Sequence, residues 1–279
     1  MTKNKLVMPF LKWVGGKRQL LGELSGLLPS GRINEYCEPF AGGGAFLFYL
    51  QPSVAYVNDI NSELINVYRV IRDSVDELIA ELSHFENSPE VFYEVRSWDR
   101  DKNKYNLLSD VHKAARIIFL NKTCFNGLYR VNSAGEFNSP FGYYRSPNII
   151  NEPVLRAVNH YLNSAEIHLS SVDYAEVLSS LNKSVFVYLD PPYDPVSDSA
   201  SFTGYSRGGF SREEQVRLRE CCDDLSRRGI RFMLSNSATD FIREQYSEYS
   251  ITVVKARRAV NSVGYRRGEV EEVVIRNYE

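Results

Sequence analysis

The chain has 279 residues, of which 43% are hydrophobic and 24% are charged, an ordinary balance for a folded protein with one large domain or one domain carrying an insertion. Its formal net charge is -2, so any nucleic-acid binding must rest on a local basic patch. The four cysteines lack paired spacing and indicate neither a disulfide scaffold nor a metal site. No segment resembles a membrane span or a signal peptide, and we expect a cytoplasmic protein.

The first candidate ligand-binding segment is residues 10–18, which contain one tryptophan, two glycines and three cations. Glycines let the backbone approach a ligand closely, and Lys17 offers a point charge for a carboxylate or phosphate. An N-terminal turn before a helix over residues 19–28 is an equally good interpretation.

A predicted strand over residues 33–37 leads into a glycine-rich turn, residues 38–44. Such a turn between a strand and a helix leaves backbone N–H groups facing a ligand. It is not a dinucleotide fingerprint, because Leu47 stands where the third glycine would be, and it is not a P-loop, because no Lys-Ser/Thr pair follows. A turn that lacks both signatures and carries the Glu38 carboxylate favours a cationic or zwitterionic nucleoside.

Asp59 follows the predicted second strand, residues 54–57. An acidic residue in this position commonly binds ribose hydroxyls in a βαβ nucleotide site, although Asp59 could equally cap the next helix. That helix is predicted over residues 62–82, because apolar residues recur there at steps of three and four, and it should cover one face of the sheet.

The alternation of strands and helices stops between residues 85 and 163, which we interpret as an inserted domain with one clear helix over residues 110–121. The block that follows, residues 121–147, is dense in Asn, Gly, Phe, Tyr and Arg. Asn and Arg read base edges bidentately, while Leu and aromatic side chains wedge or stack between bases. A long loop packed on itself is the alternative interpretation.

Strands resume at residues 167–170, just before Asp173, and at residues 185–189, a continuous apolar run typical of a buried parallel strand. The sequence Asp190-Pro191-Pro192-Tyr193 then falls at a carboxyl strand end, where open α/β sheets bind ligands. Two prolines hold the backbone extended, which fixes the direction of its carbonyls. A carboxylate, a rigid carbonyl and an aromatic ring suit a planar ligand with an exocyclic amine. A proline-stiffened turn with a solvated aspartate is the alternative.

The remainder of the chain is predicted to complete the sheet. Residues 194–209 are polar and small, which favours a mobile loop over a site, and Ser211 begins a capping box and a helix that Gly229 ends. Further strands are predicted over residues 231–235, 251–256 and 271–275. Five cations lie between residues 255 and 267, among them Arg258, and form a basic edge for DNA, although a solvated surface is the commoner meaning of such a run.

Together and in this order, residues 10–17, 38–46, Asp59, 121–142 and 190–193 resemble the DNA adenine methylase (Dam) family of S-adenosylmethionine-dependent N6-adenine methyltransferases, the D12 class. The resemblance extends along essentially the whole chain. It implies an α/β fold, with a Rossmann-like seven-stranded methyltransferase sheet and an inserted, mainly helical target-recognition domain. The catalytic, cofactor-binding domain would comprise residues 1–84 and 164–279, and the recognition domain residues 85–163.

The resemblance also implies roles for single residues. Those expected in catalysis are Asp190, Pro191, Pro192 and Tyr193. Those expected at S-adenosylmethionine are Trp13, Lys17, Glu38, Phe40, Ala41, Gly42, Gly43, Gly44, Asp59, Asp173 and Asp190. Those expected at DNA are Phe125, Asn126, Gly127, Leu128, Arg130 and Pro140, to which we add Arg258 from the basic edge. No metal-binding residue is implied.

The expected activity is methyl transfer to adenine N6 in double-stranded DNA, with the target base flipped out of the duplex. GATC is the expected site, because the recognition block resembles that of GATC methylases, and longer sites that begin with GAT are the main competitor. One alternative is an enzyme of the same fold that acts on cytosine or on a base in RNA. Another is a DNA-binding protein without catalysis, which would leave Asp190 unexplained. We expect a bacterial or phage-encoded monomer.

Overall fold

A computed structural model describes residues 3–13, 17–196, 210–257 and 269–279. Its strands, numbered in chain order, are β1 Glu35–Glu38, β2 Val54–Asn58, β3 Glu166–Ser170, β4 Phe186–Leu189, β5 Phe232–Ser237, β6 Ser250–Arg257 and β7 Glu269–Arg276. They form one seven-stranded sheet in the order β3-β2-β1-β4-β5-β7-β6. Strands β1 to β5 pair in parallel, and β7 runs antiparallel to β5 and β6. The predicted seven-stranded, Rossmann-like sheet is confirmed.

The helices are α1 Leu21–Gly26, α2 Ala45–Leu50, α3 Ser62–Asp73, α4 Val75–Ser83, α5 Pro89–Ser97, α6 Lys102–Leu107, α7 Asp110–Thr123, α8 Glu152–Ser164, α9 Tyr174–Ser180, α10 Arg212–Arg227 and α11 Asp240–Gln245. The prediction of a single helix over residues 62–82 is wrong. Its two halves, α3 and α4, meet at Ser74, whose φ of -144° lies outside the helical range. Apolar periodicity continues across this break because both helices cover the same core.

Two hydrophobic clusters lie on the two faces of the sheet. Along β4, Phe186 and Tyr188 belong to one cluster, while Val187 and Leu189 belong to the other. Successive side chains of a strand point to opposite faces, so a strand covered on both sides needs a continuous apolar run. This explains why residues 185–189 could be recognised as the central parallel strand.

The segment between residues 85 and 163 contains more helices than the one that apolar periodicity predicts. Besides α7 it contains α5, α6 and α8, and α5 and α6 are too short to show clear periodicity. Helix α7 packs on α3 and α4, and α5 packs on α7, so this segment shares the larger hydrophobic cluster with the sheet. The boundaries at residues 84 and 164 stay a prediction. Among the described residues, no helix is long and apolar enough to cross a membrane.

Candidate active site

Asp190 stands directly after β4, in the middle of the sheet, where its carboxylate meets a cation from the N-terminal segment. The amino group of Lys17 lies 2.9 Å from Asp190 Oδ1, and both side chains are largely buried, 6% and 20% exposed. The same amino group is 4.4 Å from the centroid of the Tyr193 ring. Burial raises the pKa of Asp190, and the positive charge of Lys17 opposes that rise. The structure therefore brings together residues predicted from two separate motifs, the N-terminal segment and the Asp190–Tyr193 segment.

The backbone after Asp190 is fixed by buried polar side chains. The Pro192 carbonyl accepts a hydrogen bond from Gln215 Nε2 at 2.9 Å, and Gln215 Oε1 accepts one from Asn236 at 3.0 Å. Asn236 in turn accepts the backbone N–H of Asp194 at 3.0 Å. These bonds hold the Pro192 carbonyl and the Asp194 N–H, and the two prolines limit rotation of the backbone between them and Asp190. A fixed direction of the Pro191 carbonyl stays a prediction.

The glycine-rich turn lies between β1 and α2 and packs against Trp13. Gly42 and Gly44 have φ of +49° and +65°, a region that residues with a Cβ rarely adopt. A Cβ on Gly42 would be 2.8 Å from Trp13 Cδ1. The Gly42 N–H donates to Asp59 Oδ2 at 2.9 Å, which links the turn to the end of β2. Asp59 does not cap the next helix, because Asn61 accepts the Leu64 N–H there.

Replacing Gly42 by alanine is expected to lower the free energy of unfolding by about 1 to 2 kcal/mol, because a side chain strains a backbone with positive φ. It should also displace Trp13 and weaken cofactor binding. Urea titration followed by tryptophan fluorescence measures the first effect, and calorimetry with S-adenosylmethionine the second. Gly22→Ala is the matched control, since nothing lies within 4 Å of a Cβ there. An equal response of both variants would contradict this explanation.

Glu38 ends β1 beneath the glycine-rich turn and is 3% exposed. The Tyr36 hydroxyl donates to its Oε2 at 2.9 Å. Burial, with smaller contributions from the negative charges of Asp190 and Asp59, raises the pKa of Glu38 to about 8. A cation bound next to this carboxyl would lower its pKa and favour the carboxylate form.

A hairpin-like segment, residues 124–141, carries the residues predicted to meet DNA. Cys124 pairs with Phe141, and Val131 with Phe137, through isolated antiparallel bridges. Asp99, which comes just after α5, accepts the Phe137 N–H at 2.8 Å and so anchors the segment to that part of the chain. The segment is therefore an ordered structure beside the sheet.

The same segment is joined directly to the N-terminal ligand-binding segment. Asn121 accepts the Lys12 N–H and donates to the Lys12 carbonyl, both at 2.8 Å, and it also donates to the Gly127 carbonyl at 3.0 Å. Trp13 stacks on Tyr129 with ring centroids 4.9 Å apart. These contacts place the predicted cofactor segment and the predicted DNA segment side by side.

The predicted DNA-contacting residues differ in exposure. Phe125 is 55% exposed, and Asn126, with φ of +57°, is exposed beside it. Leu128 and Arg130 are half-buried. Gly127 packs closely on Lys12, where a Cβ would be 2.6 Å from the lysine side chain. The remaining member, Pro140, accepts the Phe125 N–H through its carbonyl at 2.9 Å.

Asp173 caps α9, accepting the Ala175 N–H at 2.9 Å, and pairs with Arg217 at 2.6 Å. Its assignment to the cofactor site stays a prediction. Phe40 is half-buried against Tyr174 and Phe210, and Ala41 and Gly43 complete the turn. Most of the predicted loop over residues 194–209, and Arg258 with most of the basic edge, lie outside the described residues.

Sequence reasoning missed Gln215, Asn236 and Glu272, although all three contact the Asp190–Tyr193 segment or its partners. Gln215 carries a detectable signal, because it occupies the buried face of α10 at helical spacing from Leu218 and Cys222. Glu272 carries no such signal. The residues that follow it, 273–275, are buried on both faces of β7, so no alternation in the sequence shows which face Glu272 occupies. Among the described residues, no group of three or more His, Cys, Asp or Glu could hold a metal ion.

Comparison with known proteins shows the family of this chain. A model of the D12 class N6 adenine-specific DNA methyltransferase family matches residues 13–260. The type II methyltransferase M1.LlaDCHI of Lactococcus lactis subsp. cremoris is 42% identical over 100% of this chain and 98% of its own length. M.MjaIII of Methanocaldococcus jannaschii, also a type II methyltransferase, is 41% identical over 98% of this chain and 99% of its own. The DNA adenine methylase of Escherichia coli is 34% identical over 98% of this chain and 95% of its own length.

The strand order is that of a Rossmann-like sheet, and the matching family model identifies the chain as a methyltransferase. More narrowly, the chain belongs to the D12 class N6 adenine-specific DNA methyltransferase family. The resemblance noted from the sequence is thereby confirmed.

Proposed function

We propose that this protein transfers a methyl group from S-adenosylmethionine to adenine N6 in double-stranded DNA, at GATC. The observation that carries the proposal is the position of Asp190. It follows β4 with the Pro191 carbonyl and the Tyr193 ring beside it, and its negative charge contributes to the raised pKa of the buried Glu38 carboxyl. An amine acceptor and a cation-binding turn are thus adjacent.

The residues of the turn fit the charge and shape of S-adenosylmethionine. Glu38 and Asp59 supply carboxyl groups next to close-packed glycines, which suits a nucleoside carrying positive charge. Trp13 and Lys17 bound the site on the N-terminal side. The cofactor, when bound, supplies an electrophilic methyl group on its sulfonium.

The protein's own residues then have to orient the adenine amine. That amine is a poor nucleophile because its lone pair is delocalised into the ring. Hydrogen bonds from its two hydrogens to Asp190 and to the Pro191 carbonyl favour the pyramidal form, and Tyr193 stacks on the ring. Alignment in a water-poor pocket lowers the barrier by several kcal/mol.

An adenine in a duplex has to be flipped out to reach Asp190, at a cost of a few kcal/mol. The segment 124–141 is suited to offset that cost. Phe125 is exposed and Leu128 is half-buried next to it, so the two can hold an opened base step. We assign residues 85–163 to DNA recognition and the rest of the chain to cofactor binding and catalysis.

Arg130 is the residue we assign to the guanine next to the target adenine. Its Nε donates to Asn138 Oδ1 at 2.7 Å, which holds the guanidinium in one orientation. A pre-oriented Arg matches the bidentate acceptors of guanine, and a good pair discriminates by about 1 to 3 kcal/mol. Asn126 and Pro140 are assigned to neighbouring base pairs.

Arg130→Ala is expected to relax the preference for that guanine by about 10- to 100-fold, with smaller changes at the other positions. The experiment is methylation of a set of duplexes in which each position of GATC is changed in turn. Arg145→Ala is the matched control, because Arg145 is an exposed arginine of the same block. If Arg145 contacts a phosphate, its removal should lower the affinity for all duplexes by the same factor and make DNA binding less dependent on salt concentration.

Two results of this experiment would contradict the proposal. If Arg130→Ala lowers activity on every duplex by one factor, Arg130 contacts the backbone and does not read guanine. If the wild-type protein methylates duplexes without GATC as rapidly as those with it, the assigned site is wrong.

A further inference from the structure

Glu272 lies beside the candidate catalytic residues although it comes from the last strand of the chain. It is on β7, where it pairs with Ser237 at the carboxyl end of β5. Its side chain is 18% exposed. The adjacent Glu271 is 62% exposed and faces Arg243 at 3.7 Å. Of two neighbouring carboxylates, Glu272 is the one turned into the site.

Glu272 contacts two residues of that site through one oxygen. The Tyr193 hydroxyl donates to Glu272 Oε2 at 2.8 Å, and the same oxygen is 3.8 Å from Lys17 Nζ. The backbone on either side of Tyr193 is held at the Pro192 carbonyl and the Asp194 N–H, so the bond to Glu272 fixes the remaining freedom of the ring at its hydroxyl. Lys17 meanwhile lies within reach of two carboxylates, with Asp190 the nearer at 2.9 Å.

The ion pair between Lys17 and Asp190 competes with a target amine for the same carboxylate. When the amine engages Asp190, the buried positive charge of Lys17 needs another partner of opposite sign close by. Glu272 is such a partner, and it already lies within reach of Lys17.

We propose that Glu272 is a positioning residue for methyl transfer, which holds the Tyr193 ring in its stacking orientation and takes over the pairing of Lys17 when the target amine occupies Asp190. This inference rests on the proposed function, because it assumes an amine at Asp190. Glu272 acts through these two contacts only, and no covalent bond to it forms.

Three variants test the inference. Glu272→Gln keeps an acceptor for the Tyr193 hydroxyl but removes the charge, Glu272→Ala removes both, and Glu271→Gln is the matched control on the same strand. We expect kcat to fall by about 10-fold in Glu272→Gln and about 100-fold in Glu272→Ala. KM for DNA and for the cofactor should change little, and Glu271→Gln should behave as wild type.

The pH dependence of kcat separates positioning from a loss of packing. Asp190 is faced by Lys17, Tyr188, Tyr193, Glu38 and Glu272. The negative charge of Glu272 raises the pKa of Asp190, so Glu272→Gln should move the acid limb of the kcat profile to lower pH. A general loss of packing would lower kcat by one factor at every pH.

The outcomes are distinguishable. If wild-type protein methylates DNA and Glu272→Gln keeps its kcat and pH profile, the inference is wrong while the proposed function stands. An equal loss in Glu271→Gln, or an unshifted acid limb despite a reduced kcat, also overturns it. If wild-type protein transfers no methyl group to DNA, both fail together.

Discussion

Asp190→Ala is expected to lower methyl transfer by about 1,000-fold or more, a loss comparable to that caused by removing one preorganised polar group from other active sites. The resemblance also implies a contact between Asp190 and the cofactor. Because the main proposed partner of Asp190 is the adenine amine, cofactor affinity should nevertheless stay within a few-fold of wild type. Lys17 would still have the Glu272 carboxylate nearby at 3.8 Å. Single-turnover methylation and calorimetry with S-adenosylmethionine measure the two effects separately.

The control for this variant is Asp76→Ala, since Asp76 lies on α4 with its side chain 78% exposed. It should methylate DNA as wild type does. Near-normal turnover in Asp190→Ala would remove Asp190 from the mechanism. A parallel loss of cofactor binding would instead assign Asp190 to the cofactor site.

Glu38→Gln is expected to stabilise the free protein at pH 8 and to weaken cofactor binding. The ordinary pKa of a glutamate is 4.5, and in the fold that of Glu38 is raised to about 8. As pH rises from 4.5 to about 8, the carboxyl ionises in the unfolded chain but stays protonated in the fold. Wild-type stability therefore falls across this window, and it is fully retained below pH 4.5.

Glutamine does not titrate, so the variant should escape this loss. Each pKa unit corresponds to about 1.4 kcal/mol, which makes the expected gain at pH 8 about 3 to 5 kcal/mol. The Tyr36 hydroxyl can turn and accept from the new amide, so packing is preserved. Urea unfolding at pH 4.5 and pH 8 provides the measurement, and Glu35→Gln, on the same strand, is the control.

Affinity for the cofactor should fall by about 10- to 100-fold in Glu38→Gln, since a hydrogen bond to a charged group contributes about 1.5 to 3 kcal/mol. A stability difference between variant and wild type that is the same at both pH values would show that Glu38 titrates normally. Unchanged cofactor affinity would remove Glu38 from the cofactor site.

The central part of the fold could be predicted because both faces of the sheet are covered. A strand buried on both faces must be apolar throughout, so residues 185–189 can be recognised as such a strand from the sequence. This places Asp190 at a carboxyl strand end. The glycine-rich turn is equally visible, since positive φ at Gly42 and Gly44 restricts the residue type there. These features depend on a few neighbouring residues, and local sequence is enough to reveal them.

Contacts between distant segments could not be predicted. Lys17 contacts Asp190 although the two are far apart in the chain, and Glu272 contacts Tyr193 because β7 pairs antiparallel with β5. Neither placement follows from periodicity. The break at Ser74 was missed for a related reason, because two helices that cover one core share one apolar pattern.

The most direct test of the central claim is to identify the methylated nucleoside. Purified protein is incubated with S-adenosylmethionine and a duplex carrying a single GATC, and the DNA is digested and analysed by mass spectrometry. We predict N6-methyladenine, formed in this duplex and not in one whose GATC is scrambled. Methylcytosine, or modified adenine at equal levels in both duplexes, would contradict the proposed function.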